Sequence, residues 1–398
     1  MLPDDRQVPG IRRYPMDLES VLGRVTEIAR DIVAANAEQT DRDAKWPEAG
    51  IRALQEAGIS GLTVPAEFGG LGQGSFGLTQ VCEILAQECA STAMCFGMHC
   101  VGAAVLSAKA TPDQCERYLK PIAEGRHLTT LSLSEAGTGS HFYIPETRLE
   151  AVSPDTYRVS GTKTFVTNGG YADSYVVSTV AADPHAPLGQ FSCVVIEQDA
   201  EGVQWGGPWN GLGMRGNSSR IMKLENVSVP RNNLLGEEGD QIWYVFQVVT
   251  PYFLMAMAGT YLGIASAALE EARNHLIKRH YSETGSSLAQ LPVLQHRLGC
   301  LWGMLERTRR LSYHAAIAFD AGDPDALPAV FTAKAEVADC AVNMVNEVMT
   351  LTGGMGYREG STLHKWLRDA RAAHVMAPTT DVLRIWTGRA LLGQPILS

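Results

Sequence analysis

Residue types able to do phosphate, metal or nucleophilic chemistry are scattered along this chain, and the familiar spacings are mostly missing. Gly72-Gln73-Gly74-Ser75-Phe76-Gly77 matches a dinucleotide fingerprint letter for letter. It follows helical sequence, however, and lacks the strand and βαβ unit that would aim a helix N-terminus at a pyrophosphate. No HExxH, GxSxG or GxxxxGK[ST] occurs, which argues against zinc-hydrolase, serine-hydrolase and P-loop chemistry. The eight cysteines (Cys82, Cys89, Cys95, Cys100, Cys115, Cys193, Cys300, Cys340) have neither CxxC pairing nor metal-ligand spacing. They read as reduced core residues, and no metal site is expected.

The elements that must position any site fall into three stretches. From Asp17 to about Leu119 apolar residues recur at helical spacing, as in Val21, Val25, Ile28 and Ile32, broken by the glycine-rich turn Val64 to Gly72. From about Leu128 to Val229 short runs rich in β-branched and aromatic residues, such as Tyr175-Val176-Val177, alternate with turns such as Asn168-Gly169-Gly170 and Ala186-Pro187-Leu188-Gly189. Helical periodicity returns after Gly239, with long segments near 240–280, 288–320 and 328–352. A chain of 398 residues, 45% hydrophobic, can bury a large core. Its net charge of −10, without a block of basic residues, excludes nucleic acid and anionic membrane as expected partners. The charged, proline-containing opening MLPDDRQVPGIRRYP does not read as a signal peptide, and no run of 18 apolar residues appears. A cytoplasmic location is the expectation.

Six segments, in order, resemble the acyl-CoA dehydrogenase family, from roughly Leu62 to the C-terminus. They are Leu62 to Gly72; Ser91-Thr92-Ala93 through Gly97-Met98-His99; Leu131 to Ser140 (LSLSEAGTGS); Gly161 to Gly169 (GTKTFVTNG); Leu212 to Ser219 (LGMRGNSS) with Val227 to Pro230; and Leu351 to Arg384, which holds Gly353-Gly354-Met355-Gly356-Tyr357 and Arg368-Asp369-Ala370. The resemblance implies an α+β fold in three parts. These are an N-terminal α-helical domain (1–127), a middle antiparallel β-barrel or sandwich domain (128–238) and a C-terminal four-helix bundle (239–398). It also implies FAD. Backbone groups of Leu133 and Ser134, the Thr167 hydroxyl and the Phe165 ring would meet the flavin, and Gly139 and Ser140 its pyrophosphate. Arg279, Gln295, Thr350, Gly353 and Gly354 would serve the adenosine half across a subunit interface, with Thr379 and Asp381 also at the cofactor. Two departures stand out there: Thr350 replaces an expected glutamine, and the 281–287 loop lacks the usual R-x-x-F-G. His141 replaces the aspartate that usually follows the Gly-Ser of the flavin loop.

The family's catalytic glutamate, which takes the substrate α-proton, is absent: its usual seat is Ala377, in Ala377-Pro378-Thr379, and its alternative seat is Phe253. The backbone N–H of Ala377 could still polarise a thioester carbonyl. His99 and His374 are the candidate replacement bases, since imidazole titrates near neutral pH. Ser140, Cys95, Arg215, Tyr252 and Ala377 are the candidate substrate contacts, with Arg220 a further candidate for phosphopantetheine. Three functions stay open: dehydrogenation of an acyl thioester carried by CoA or acyl carrier protein, with an electron-transfer flavoprotein or oxygen as acceptor; a flavin monooxygenase of the same fold, fed by a flavin reductase; or a flavin-binding partner subunit without activity of its own. A homodimer or homotetramer is expected from the resemblance.

Overall fold

The computed structural model describes residues 17–187 and 189–397; the opening segment, Leu188 and Ser398 lie outside the described residues. The N-terminal helices are α1 (Leu18–Ile28), α2 (Ala34–Arg42), α3 (Glu48–Glu56), α4 (Ser75–Glu88), α5 (Ala90–Ala108) and the short α6 (Pro112–Gln114) and α7 (Lys120–Ala123). Asp17 caps α1 by accepting from Ser20 N–H at 2.8 Å. The C-terminal region runs α8 (Gln241–Tyr244), α9 (Thr250–Lys278), α10 (Pro292–Asp320), α11 (Ala326–Thr352), α12 (Gly354–Tyr357), α13 (Thr362–Val375) and α14 (Thr380–Leu391). Helices α9, α10 and α11 pack on one another, α13 and α14 lie on α11, and α4 packs along α9, so the two helical regions share one core.

Two helices are long and apolar enough to cross a membrane, Ala90–Ala108 and Gln241–Lys278, but 94% and 78% of their most apolar windows are buried. They are core helices, apolar all round because neighbours cover every face.

Between the helical regions, among the described residues, lie eight strands: β1 (Thr129–Ser132), β2 (Arg148–Ser153), β3 (Thr156–Val166), β4 (Ser174–Ala181), β5 (Phe191–Glu197), β6 (Val203–Trp205), β7 (Arg220–Pro230) and β8 (Leu234–Leu235). The sheet order is β6-β7-β3-β2-β4-β5-β8, with β1 also on β4. The sheet is mixed rather than purely antiparallel, because β1 and β2 both run parallel to β4.

That parallel pairing positions the site. β1 ends with Ser132 opposite Val177, and β2 begins with Arg148 opposite Val180, so both strands sit in line on one edge of β4. Fifteen residues, 133–147, must therefore leave the sheet across a gap of two β4 residues. The excess chain is thrown out as the small-residue loop.

The hexad Gly72 to Gly77 has a different use. Gly74 precedes α4, and the N–H groups of Ser75 and Phe76 donate to the Asp320 carboxylate at 2.7 and 2.9 Å. A Cβ on Gly74 would collide with that carboxylate. The donors a phosphate would need are spent on tying α4 to α10.

Candidate functional site

A cavity of about 470 Å³ opens where the three regions meet. Its walls come from α5 (Met94, Met98), the end of β1 and the loop after it (Leu131, Leu133 to Ala136, Gly139, Phe142), β3 and its exit (Thr164, Phe165, Thr167), the loop before β7 (Trp209, Gly213, Met214, Asn217, Ser219), the start of α9 (Val249, Phe253) and the end of α13 (Ala372, Val375, Met376, Ala377). Most of that surface is apolar. Among the described residues the one ionisable side chain on the wall is Glu135, and it is turned toward Lys163.

Lys163 explains how the loop is held. Its ammonium lies fully buried at the gap between β1 and β2, 2.5 Å from Glu135 Oε1, and donates to Ser178 O at 2.6 Å, Ser178 Oγ at 3.0 Å and Leu133 O at 3.3 Å. It thus fills acceptors that the interrupted ladder leaves open. Thr147 N–H donates to the same Glu135 oxygen at 3.1 Å, and Thr164 N–H to Ser134 O at 2.8 Å. Burial pushes the lysine down to about 8, against the opposing pull of Glu135.

With the loop pinned from behind, the N–H groups of Glu135, Ala136, Gly137, Gly139 and Ser140 have no partner among the described residues. Gly139 has φ +54°, a left-handed conformation that glycine adopts without strain, and a Cβ on Gly137 would strike the Glu146 carboxylate. The Thr164 hydroxyl is buried without a partner, and Thr167 Oγ1 lies 3.2 Å from Ser219 Oγ. Phe165, 64% exposed and at φ +56°, meets Trp209 edge to face at 6.1 Å. A dry slot bordered by free backbone donors suits an uncharged ring system joined to a pyrophosphate, so the residues present fit a flavin dinucleotide.

The far wall is clamped by Arg368-Asp369. Arg368 pairs with Asp41 of α2 at 2.5 Å and donates to Leu212 O at 3.0 Å, while Asp369 accepts from Met214 N–H at 2.5 Å. Asp369 is buried, which raises its carboxyl to about 6. Arg215 joins the clamp by donating to the carbonyls of Asp41 at 2.8 Å and Arg42 at 3.3 Å. One helix of the C-terminal region thereby fixes a cavity loop of the middle region against the N-terminal region.

The structure brings Leu133, Ser134, Gly139, Phe165, Thr167, Phe253 and Ala377 to the cavity, and leaves the other sequence candidates off its wall. His99 is the main correction. It is fully buried, its Nδ1 accepts from Thr129 N–H at 3.1 Å and its Nε2–H donates to Ser60 O at 3.0 Å. Burial holds it neutral, with its pKa pushed down to about 4. Neither nitrogen is free to take a substrate proton.

His374 turns toward α11, its Nε2 2.9 Å from Asp339, which also pairs with Arg384 at 2.5 Å. Tyr252 faces α10, edge to face with Phe319 at 5.9 Å, and burial raises its phenol to about 12. The Cys95 thiol is buried against Asn217 O, and Arg220 donates to Gly206 O. Ser140 lies just beyond Gly139, off the wall. Thr379 caps α14, accepting from Val382 N–H at 3.5 Å, and Asp381 is exposed in that helix's first turn. Arg279, Thr350 and Gly353 are exposed at helix ends, Gly354 opens α12, and Gln295 lines a separate cleft between α9 and α10. Met94, Met98, Trp209, Val249 and Lys163 went unread as site residues, since apolar or lone basic side chains carry no spacing signal.

Comparison with known proteins accords with this geometry. Sequence models described as acyl-CoA dehydrogenase N-terminal, middle and C-terminal domains match residues 16–126, 130–227 and 243–392. The cyclohex-1-ene-1-carbonyl-CoA dehydrogenase of Geobacter metallireducens is 30% identical over 93% of this chain and 97% of its own. The solved butyryl-CoA dehydrogenase of Megasphaera elsdenii superposes with a TM-score of 0.88 at 26% identity, covering 95% of this chain and 100% of that one. A chain from the structure of the electron transferring flavoprotein of Acidaminococcus fermentans gives a TM-score of 0.89 at 28% identity, covering 96% and 99%.

Proposed function

Because the chain belongs to the acyl-CoA dehydrogenase family of flavin oxidoreductases, we propose that it binds FAD and oxidises the α,β C–C bond of an acyl thioester carried by CoA or acyl carrier protein. The observation that carries this reading is the set of unpartnered N–H groups of Glu135, Ala136 and Gly139 on the wall of an apolar cavity, with those of Gly137 and Ser140 in the same loop. Bound flavin supplies the two-electron oxidant. The chain's own residues do the rest. The loop from Leu133 to Ser140 and Thr167 hold the cofactor. The methionines of α5 and Phe253 exclude water from the acyl group. The Ala377 N–H, which has no partner among the described residues, accepts the task of donating to the thioester carbonyl and so acidifies the α-carbon.

Proton removal is where this chain differs from an enzyme with a glutamate at position 377. No side chain on the cavity wall presents a free base, so the α-proton passes to water or to a basic group that the substrate brings. Electrons leave through an electron-transfer flavoprotein. A homodimer or homotetramer is supported by apolar side chains exposed on α10, Val293 at 63% and Trp302 at 60%.

The test is an anaerobic titration of the purified flavoprotein with saturated acyl-CoA and acyl-carrier thioesters, with and without a second carboxylate or amine. Bleaching of the oxidised flavin band by a thioester is the expected result. A flavin that stays oxidised with every thioester overturns the proposal. Chemically reduced protein that then forms a long-lived hydroperoxide with oxygen would put a monooxygenase in its place.

A further inference from the structure

Lys334 sits in the middle of α11 with no exposed surface, yet no carboxylate pairs with it among the described residues. Its three ammonium protons go instead to three backbone carbonyls: Ala373 O at 2.8 Å, Pro378 O at 3.1 Å and Met376 O at 3.4 Å. Ala373 O belongs to the last turn of α13 and the other two to the segment between α13 and α14, which also forms the cavity wall at Met376 and Ala377. A fully buried cation is costly, and this one is spent on a single turn.

The geometry of the peptide unit gives that expenditure a consequence. The Met376–Ala377 bond is not among the cis bonds, so its C=O and N–H point in opposite directions across one plane. Drawing the Met376 carbonyl toward Lys334, away from the cavity, turns the Ala377 N–H toward it. A positive charge behind that carbonyl also draws electron density from the amide nitrogen, making the N–H a stronger donor.

We propose that Lys334 is the positioning residue of the site: it orients and polarises the Ala377 amide as the hydrogen-bond donor to the substrate's thioester carbonyl, which rests on the reading of this cavity as a thioester site. Burial brings the lysine down to about 7 and so opposes its charged form; the three carbonyl acceptors are what hold the ammonium against that. The hydrogen bonds still favour its charged form, since three protons meet three acceptors.

The experiment uses the holoenzyme and cinnamoyl-CoA, a conjugated thioester that is already unsaturated and whose absorption moves to longer wavelength as its carbonyl is polarised. K334M removes the ammonium at similar volume, and K334Q keeps two N–H donors without the charge. Wild type is expected to shift the bound probe to longer wavelength. K334M, with its flavin content intact, should lose at least half of that shift. Its kcat on a saturated thioester should fall by about 10- to 100-fold, with KM changed less than about threefold, the pattern of a donor that acts mainly in the transition state. K334Q should fall between the two, and it carries the test alone if K334M does not fold. A folded, flavin-loaded variant with an unchanged probe shift and unchanged kcat overturns the role of Lys334 while leaving the thioester site standing. A wild-type protein that neither shifts the probe nor bleaches with any thioester overturns the thioester reading and this proposal with it.

Discussion

Replacing Ala377 by glutamate puts a carboxylate on the cavity wall at the position the sequence resemblance marks as a base, and the structure fixes what should follow. Ala377 is half-buried and borders the cavity of about 470 Å³, whose wall also holds Met376, Val375 and Phe253, so the longer side chain has open space to grow into. No cation lies on the wall beside it, and the surroundings are thioether, aromatic and aliphatic. Desolvation should therefore raise the new carboxyl by roughly one to three pKa units from about 4.3. A positioned general base contributes about 10²- to 10⁴-fold. A newly introduced one lacks tuned packing, so a gain near the lower figure in the rate of flavin bleaching by a saturated acyl-CoA is expected.

The pH dependence has a defined sign. The base works only when ionised, so the A377E rate should climb as pH rises through the raised pKa, while the slow wild-type rate lacks that step. Stability should move the other way. The unfolded carboxyl ionises near 4.3 and the folded one later, so A377E loses stability relative to wild type as pH rises between the two, by about 1.4 kcal/mol for each pKa unit. Stopped-flow bleaching and urea unfolding from pH 5 to 9 measure both. An A377E protein with full flavin and bound thioester, but with wild-type bleaching at every pH, would refute the placement of residue 377 at the substrate's α-carbon.

Three further perturbations address the supports of the site. His99, neutral in the fold at about 4 against an ordinary value of 6.5, should contribute about 3 kcal/mol of stability that is present above pH 6.5 and lost as pH falls toward 4. The difference in unfolding free energy between wild type and H99Q at pH 7.5 and 4.5 reads it, and a pH-independent difference would contradict the assignment. K163M, which leaves Glu135 buried and unpaired, should cost about 3–5 kcal/mol, and K163M with E135L should recover part of it in a double-mutant cycle. D369A should cost about 1–3 kcal/mol by stranding the Met214 N–H, and should lower flavin retention on gel filtration, whereas D369N should retain most of both.

Much of the three-part fold, and the small-residue character of the 133–147 loop, can be read from the sequence, because small residues at Gly137, Gly139 and Ser140 and the change from helical to alternating pattern are local signals. How the loop reaches the cavity is not local. It depends on β1 and β2 sharing one edge of β4, a pairing between residues about thirty to forty-five apart. His99 misleads for a related reason: α5 is apolar on every face, so its sequence gives no direction in which to aim a side chain. At the start of α9 the π-helical turn Val245–Val249 changes the phase of the helix, and Val249 and Phe253 reach the cavity while Tyr252 turns to Phe319. The buried lysines are invisible in composition, since Lys163 and Lys334 look like surface residues until their acceptors are placed in space.

What the chain retains around its missing glutamate bears on the chemistry. Arg368 and Asp369 still clamp the Leu212–Met214 segment, Lys163 still pins the loop from behind, and Lys334 still gathers the carbonyls around Ala377. Each of these buries charge or polar groups at an energetic cost that an inert scaffold could avoid by apolar packing. On the proposed reading, the site keeps residues suited to binding a flavin and polarising a carbonyl, while no free base stands on the cavity wall among the described residues. Such a cavity should discriminate among thioesters by the acidity of the α-carbon more than by chain length. Thioesters whose α-proton is already acidified, or which carry their own base within reach of it, should bleach the flavin fastest, and simple straight-chain acyl groups slowest. A rate order across the thioester panel that follows chain length and ignores α-acidity would mean that an unseen base reaches the cavity, and that the vacancy at Ala377 is filled from elsewhere in the protein.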